Sequence, residues 1–362
     1  MAIRPDDAAN LAKGVREIFV EAESILLEKI ARALARGLDS PDWAEEKLLG
    51  VQHLLREVDR ALLDINKGVP GAVERAVSLA YNRGIASAGG DLKEAGLVYG
   101  AFGEVQNTGA VSTIVSEVME RLTPMSFQIR RAVADIYQQT VTQTAAQVNT
   151  GVLTRREASR RTLDKLARNG VSGFKDRSGR MWEMGAYAEQ SVRTASMNAA
   201  LQGHVDRVSE LGVDTMIVSN APEECKLCRP FEGRVLSVSG KTTGRLSDGK
   251  TVVASLAEAK RAGLFHNNCR HSISIYLPGI TKAKTDTADP KGDALRQQQR
   301  GYERSIREGK RKVIIAKEIG GPNSQSYREE RRKLTELQGE FKDWRDANDR
   351  KDLGYRTNLR TR

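Results

Sequence analysis

The sequence predicts an α+β protein with a helix-rich N-terminal half, a small α+β domain and a charged helical C-terminal tail. Three observations carry this. Apolar residues recur at three- and four-residue steps up to about residue 170. Between 171 and 280 the pattern shortens to alternating runs punctuated by Gly and Pro. Beyond 281 the chain is rich in charge and Gln. The expected domains are therefore 1–170, 171–280 and 281–362.

The first helix carries Val15, Ile18, Phe19, Ala22, Ile25 and Leu26 on one stripe. Asp39-Ser40-Pro41 restarts the chain, with Ser40 as N-cap and Pro41 at the first helical position. The next helix runs from Trp43 to about Gly68, and Pro70 is expected to open a third that ends at Gly89-Gly90. His53 lies among the apolar residues of the second helix and reads as a core-edge residue. Pro124 is expected to start a long helix. Thr154-Arg-Arg-Glu157 is a capping box for another, which closes at Asn169-Gly170 and bears Arg155, Arg156, Arg160, Arg161, Lys165 and Arg168. After Gly170 come a hairpin over Phe174–Trp182 with Ser178-Gly179 at its turn, and a helix from Ala186 to Leu211. Short strands follow at 213–219 and 233–239, then a hairpin around Asp248-Gly249, a helical turn at 256–262 and a last strand at 272–276. The tail is helical, with a break at Gly320-Gly321-Pro322.

Composition excludes several classes. The N-terminus lacks the apolar core of a secretory signal, and no run is long enough to cross a bilayer, so no membrane partner is expected. Three cysteines without a signal fit a reducing cytoplasm. The formal charge is +11. Residues 281–362 hold 22 basic and 14 acidic side chains, most of that excess. Such a segment is either a solvated mixed-sign surface or a phosphate-contacting one. In the second case the candidate DNA contacts are Arg311, Lys312, Arg331, Arg332 and Lys333. Tail aromatics are too few for a base-stacking platform. There is no Walker-type phosphate loop and no dinucleotide fingerprint.

The cysteines are more specific. Cys225 and Cys228 form a C-x₂-C turn, and 37 residues later His266, Cys269 and His271 form H-x₂-C-x-H. Two short ligand groups joined by a long excursion describe many structural zinc sites. Cys225, Cys228, His266 and Cys269 would close a four-ligand shell, leaving no open position for catalysis. His271 is the alternative fourth ligand or a hydrogen-bonding support. Structural zinc can contribute about 10–16 kcal/mol of apparent folding free energy, which a small domain with little core would need. Three metal-free thiols, or a disulfide from Cys269 to Cys225 or Cys228, are the other readings of the same residues. No catalytic residues are assigned, and an enzyme is not expected.

Gly263-Leu-Phe-His-Asn-Asn-Cys-Arg-His271 followed by Tyr276-Leu-Pro-Gly279 resembles the signature of the tailed-phage minor capsid protein 2 family, related to head proteins similar to phage Mu protein F. The resemblance extends to Phe174-x-Asp176-x-x-Gly179-Arg180-x-Trp182, Tyr187, Arg193-Thr194, Cys225-x-x-Cys228, Gly233 and Gln299-Arg300-x-x-Glu303-Arg304-x-Ile306-Arg307. It covers about 124–345, with Asn267 standing where the family often has proline. It implies a structural protein of the phage head interior, made in the host cytoplasm and present in multiple copies around the portal. The implied partners are the portal protein, major capsid or scaffold protein and double-stranded DNA, and the implied roles are assembly, packaging or ejection. A zinc-dependent nuclease or other DNA-processing enzyme is the alternative, and a zinc-containing DNA-binding regulator a third reading.

Overall fold

The computed structural model describes residues 5–96, 107–149, 153–154, 156–160, 163, 167, 174–175, 181–221, 227–267, 269–281 and 290–359. Helices dominate: α1 (Pro5–Ala35), α2 (Trp43–Leu49), α3 (Val51–Glu94), α4 (Thr108–Asn149), α5 (Met184–Glu210), α6 (Leu256–Arg261), α7 (Pro290–Gly320) and α8 (Gln325–Ala347). A two-stranded hairpin pairs β1 (Phe174–Lys175) with β2 (Met181–Trp182). A five-stranded mixed sheet has the order β5-β6-β4-β3-β7. Its strands are β3 (Thr215–Val218), β4 (Val235–Ser237), β5 (Gly244–Arg245), β6 (Thr251–Ser255) and β7 (Ile273–Ile275). The α+β expectation holds, with the bulk of the chain helical.

The chain forms two compact units. One comprises residues 1–15, 70–121 and 189–294, and the other residues 16–69, 122–188 and 295–362. The first unit holds the five-stranded sheet. One face buries Met216, Val218, Leu236, Ile273 and Ile275 with Leu92, Leu201 and Val208 of α3 and α5 and with Leu256 and Ala259 of α6. The other face carries a smaller cluster of Ile217, Val235, Val252 and Tyr276. Successive β3 residues thus serve opposite faces, as the pleat requires. The outer edge of β7 is closed by α3: Asp91 Oδ2 accepts from the Ile275 N–H at 3.0 Å.

The helices α3 and α5 cross closely in this unit. A Cβ on Gly84 would lie 2.0 Å from the Ala200 carbonyl oxygen, and one on Gly203 would lie 2.2 Å from that of Tyr81. Beside this crossing His204 is fully buried. Its Nδ1 contacts Ser87 Oγ at 3.1 Å, and its Nε2 stands 3.7 Å from Asp91. Burial lowers its pKa to about 4, only partly offset by Asp91.

In the second unit Trp43 is buried and its Nε1 donates to the Leu34 carbonyl at 3.0 Å, fixing the turn between α1 and α2. Helix α7 is a core element here, with Ile306, Val313, Ile314, Ile315 and Ile319 buried. Tyr302 of α7 stacks on Phe341 of α8 at 5.3 Å and lies 5.5 Å from Trp344, so these tail aromatics pack on one another. Ser324 caps α8, accepting from the Tyr327 N–H.

Several helix boundaries differ from the sequence expectation. Ser40 does not cap α2, which begins at Trp43; the Ser40 hydroxyl instead accepts from the Asp42 N–H at 3.3 Å. The second and third expected helices are one, with Pro70 inside α3. Pro124 likewise lies inside α4 rather than at its start. A proline in a helix interior costs about 3 kcal/mol. Here the buried stripe continues in phase across each one: Leu62, Ile65 and Val69 precede Val73, Val77 and Ala80, while Val118 and Leu122 precede Met125 and Ile129. Burial of that stripe outweighs the lost hydrogen bond. His53 is exposed rather than at the core edge. The Thr154–Glu157 capping box is formed, with Glu157 N–H donating to Thr154 Oγ1 and Thr154 N–H to Glu157. Asn169-Gly170 and the Ser178-Gly179 turn lie outside the described residues.

Candidate metal centre

Local structure brings the ligand segments together. Strand β3 delivers the chain to Ala221, after which Cys225 lies outside the described residues. Cys228 caps a 3₁₀ turn over Arg229–Phe231, its carbonyl accepting from the Phe231 N–H at 2.9 Å. Gly233, at φ +64°, turns the chain back into β4 and donates its N–H to the Val218 carbonyl. The second segment follows α6, whose start is fixed by a complete capping box between Ser255 and Glu258. Gly263 adopts φ +107° with its Cα hydrogen side against Leu227 of the cysteine loop. Phe265 adopts φ +60°, a left-handed conformation that costs a bulky residue about 1–2 kcal/mol. Its side chain is buried in the main core cluster, which holds it there. The turn is closed by the Cys269 N–H donating to the His266 carbonyl at 2.9 Å, and β7 begins soon after.

The result is one cluster. The candidate ligand atoms of Cys228, His266 and Cys269 all lie within 4.8 Å of one another. The two sulfurs are 3.5 Å apart, and both cysteines are free thiols. Ligand atoms on a tetrahedral ion bonded at about 2.0–2.3 Å lie roughly 3.5 Å from each other. The sulfur pair has that spacing, and the thiol–imidazole donor set is of the kind a zinc-type ion takes. His266 Nδ1 contacts the Asn267 carbonyl oxygen at 2.6 Å. A carbonyl can only accept, so Nδ1 carries the proton and Nε2 keeps the lone pair that ligation requires. The hydrogen bond from Cys228, working against burial and aided by His271, pulls the Cys269 thiol down to about 4. Cys269 is thus poised as the thiolate, the ligating form.

His271 is buried beside this cluster. Its Nδ1 stands 3.4 Å from Cys269 Sγ, its backbone N–H donates to the same sulfur at 3.4 Å, and its Nε2 meets Glu232 Oε1 at 2.6 Å. The same Glu232 oxygen accepts from the Ala221 N–H at 3.1 Å. Against desolvation, the bonds to Cys269 and Glu232 raise the His271 pKa. Glu232 is the residue that sequence reasoning missed; its only signal was its position just before Gly233. Arg193, Thr194, Met197, Asn198 and Leu201 of α5 line a cavity of about 10 Å³ next to His266, Cys269 and His271. That volume is about one water, far below a substrate pocket of roughly 300–1,000 Å³.

The candidate DNA contacts are placed differently from one another. Arg311 is fully buried, donating to Glu23 at 3.1 Å, to Glu183 at 2.6 Å and to the Ala167 carbonyl at 3.1 Å. It is a core ion-pair residue, so its assignment as a phosphate contact is corrected: a guanidinium with no exposed surface reaches no backbone of DNA. Against the cost of burial, Arg307 and Arg311 hold Glu183 down at about 2. Burial pushes Glu23 up. Lys312 pairs with Glu308 at 2.8 Å. On α8, Arg331 lies over the Tyr327 ring, Arg332 pairs with Glu336 and Lys333 with Glu330. The last three are exposed. Helix α8 carries six basic and six acidic side chains, so its surface is mixed rather than basic.

The chain is helix-dominated, and its small sheet supports a thiol–imidazole cluster with water-sized space beside it. It belongs to the phage minor capsid protein 2 family, whose model matches residues 3–346. It is therefore a minor capsid protein, a component of the phage head and virion. It is also similar to a structural protein of Lactococcus phage LL-H, 23% identical over 193 residues, or 52% of each chain. The chain spans about half the length of that curated relative. No solved structure matches it. No helix among the described residues is long and apolar enough to cross a membrane.

Proposed function

We propose that this protein is a structural element of the phage head interior, seated in multiple copies at the portal, with a structural zinc held by Cys225, Cys228, His266 and Cys269. The observation that carries the proposal is the convergence of Cys228, His266 and Cys269 within 4.8 Å from two segments far apart in sequence. Zinc, when bound there, supplies a closed crosslink between the cysteine loop and the segment leading into β7. The protein's own part is to hold the thiols and imidazole in place, through the Cys228 turn and the left-handed Phe265. The rigid unit then presents its helices to portal, scaffold or major capsid protein and supports assembly, packaging or ejection. The structural reading gains further support from the cavity of about 10 Å³, since a zinc-dependent nuclease needs an open coordination position with room for a phosphodiester. Contact with packaged DNA falls to exposed α8 side chains such as Arg331, Arg332 and Lys333, and is limited by their acidic neighbours.

The test has two readouts. Purified protein should contain close to one zinc per chain, and heads assembled with portal and capsid proteins should retain several copies of it. Removing zinc with a strong chelator should lower the melting temperature and the copy number together. Full incorporation by a Cys228→Ser/Cys269→Ser variant without metal would remove the zinc from the proposal. Absence of the protein from portal-containing heads would remove the portal.

A further inference from the structure

We propose that Glu232 and His271 form a clasp that positions the metal ligands without binding the ion. The inference rests on the metal-centre reading above and extends it to two residues outside the ligand set. Four contacts define the clasp. Glu232 Oε1 accepts from the Ala221 N–H, the last described position before the cysteine loop, at 3.1 Å. The same oxygen takes His271 Nε2 at 2.6 Å. His271 Nδ1 and its backbone N–H both address Cys269 Sγ, each at 3.4 Å. One carboxyl oxygen therefore ties the entry of the C-x₂-C loop to the thiol of the second ligand segment.

The geometry also separates the two histidines. His271 has both ring nitrogens engaged, Nε2 by Glu232 and Nδ1 by the Cys269 sulfur. With Nε2 donating to Glu232 only Nδ1 keeps a lone pair, and His271 is not in the group whose ligand atoms all lie within 4.8 Å of one another. His266 has Nδ1 engaged by the Asn267 carbonyl, and it is the histidine whose ligating atom falls within the 4.8 Å cluster of Cys228 and Cys269. His266 is the ligand and His271 the positioning residue. Supports of this kind change metal affinity by about 10–100-fold when removed, while the donor set is unchanged.

Cobalt(II) loading of the full-length protein separates these roles, because d–d and thiolate-to-cobalt bands report donor type. His271→Ala and the isosteric Glu232→Gln should weaken cobalt binding about 10–100-fold and leave the band positions of the wild type. His266→Ala should shift the bands, as water replaces imidazole. In metal-free protein, hydrogen exchange at the Ala221 amide should accelerate at least tenfold in Glu232→Gln and His271→Ala. Band shifts in His271→Ala equal to those of His266→Ala would overturn the proposal, as would unchanged affinity in both clasp variants. If the wild type binds no cobalt, the metal reading falls by itself, and Ala221 exchange then decides the clasp: acceleration upholds it and unchanged exchange ends it.

Discussion

At the scale of single residues, Arg311 shows how far a side chain's role depends on what surrounds it. In the sequence it is one cation among many in a basic segment. In the structure it is buried between Glu23 and Glu183, with Arg307 completing the group through Glu183 at 2.7 Å. Burying ions is costly, and removing one partner strands the others. Arg311→Met should therefore destabilise the protein by roughly 3–5 kcal/mol in urea unfolding. The proposed DNA contact does not involve it, so any retention on DNA at fixed salt should match the wild type, measured on the folded fraction. Weakened DNA binding with unchanged stability would return Arg311 to the surface. Glu232 is the opposite case: an unremarked acid in the sequence, it is the oxygen on which the Ala221 N–H and His271 meet.

At the scale of elements, the sequence patterns read well where local chemistry decides and poorly where packing does. The capping box at Thr154, the turn at Gly249 and the stop of α5 at Gly212 follow from side-chain oxygens and from φ values that favour glycine. The continuity of α3 and α4 through Pro70 and Pro124 does not, because it depends on an apolar stripe finding cover on both sides of the break. The α3–α5 crossing is likewise silent in sequence, since neither Gly84 nor Gly203 marks a turn. With Ala200 O and Tyr81 O only 2.0 and 2.2 Å from the missing Cβ atoms, each methyl would have to force the helices apart. Gly84→Ala and Gly203→Ala should each cost about 1–3 kcal/mol, despite alanine's better helix propensity. A thermal melt in which either substitution stabilises would show that the helices separate freely.

At the scale of the whole molecule, the buried titratable groups set an acid limit. His204 has a folded pKa of about 4, below its ordinary 6.5, so the unfolded chain takes up its proton first. Stability is then lost as pH falls from 6.5 towards 4. Glu183, held near 2 against an ordinary 4.5, contributes stability that is present above 4.5 and is lost as pH falls from 4.5 towards 2. Urea midpoints across this range should decline through both windows, and His204→Gln should flatten the upper one relative to wild type. An unchanged slope between pH 6.5 and 4 in that variant would show that His204 is not the group responsible.

The sequence by itself determined the α+β class, most strand and turn positions, the grouping of Cys228, His266 and Cys269 and, through the motif around Cys269, the family. These are encoded by residues close in the chain or by side chains rare enough that their spacing is informative. Only the tertiary structure decided that α7 is a core helix, that Arg311 is an internal ion-pair partner, that two prolines sit inside helices and that Glu232 joins Ala221 to His271. The physical reason is that charge, proline and glycine have no fixed meaning along a chain. Each takes its value from the groups that folding brings within a few ångströms.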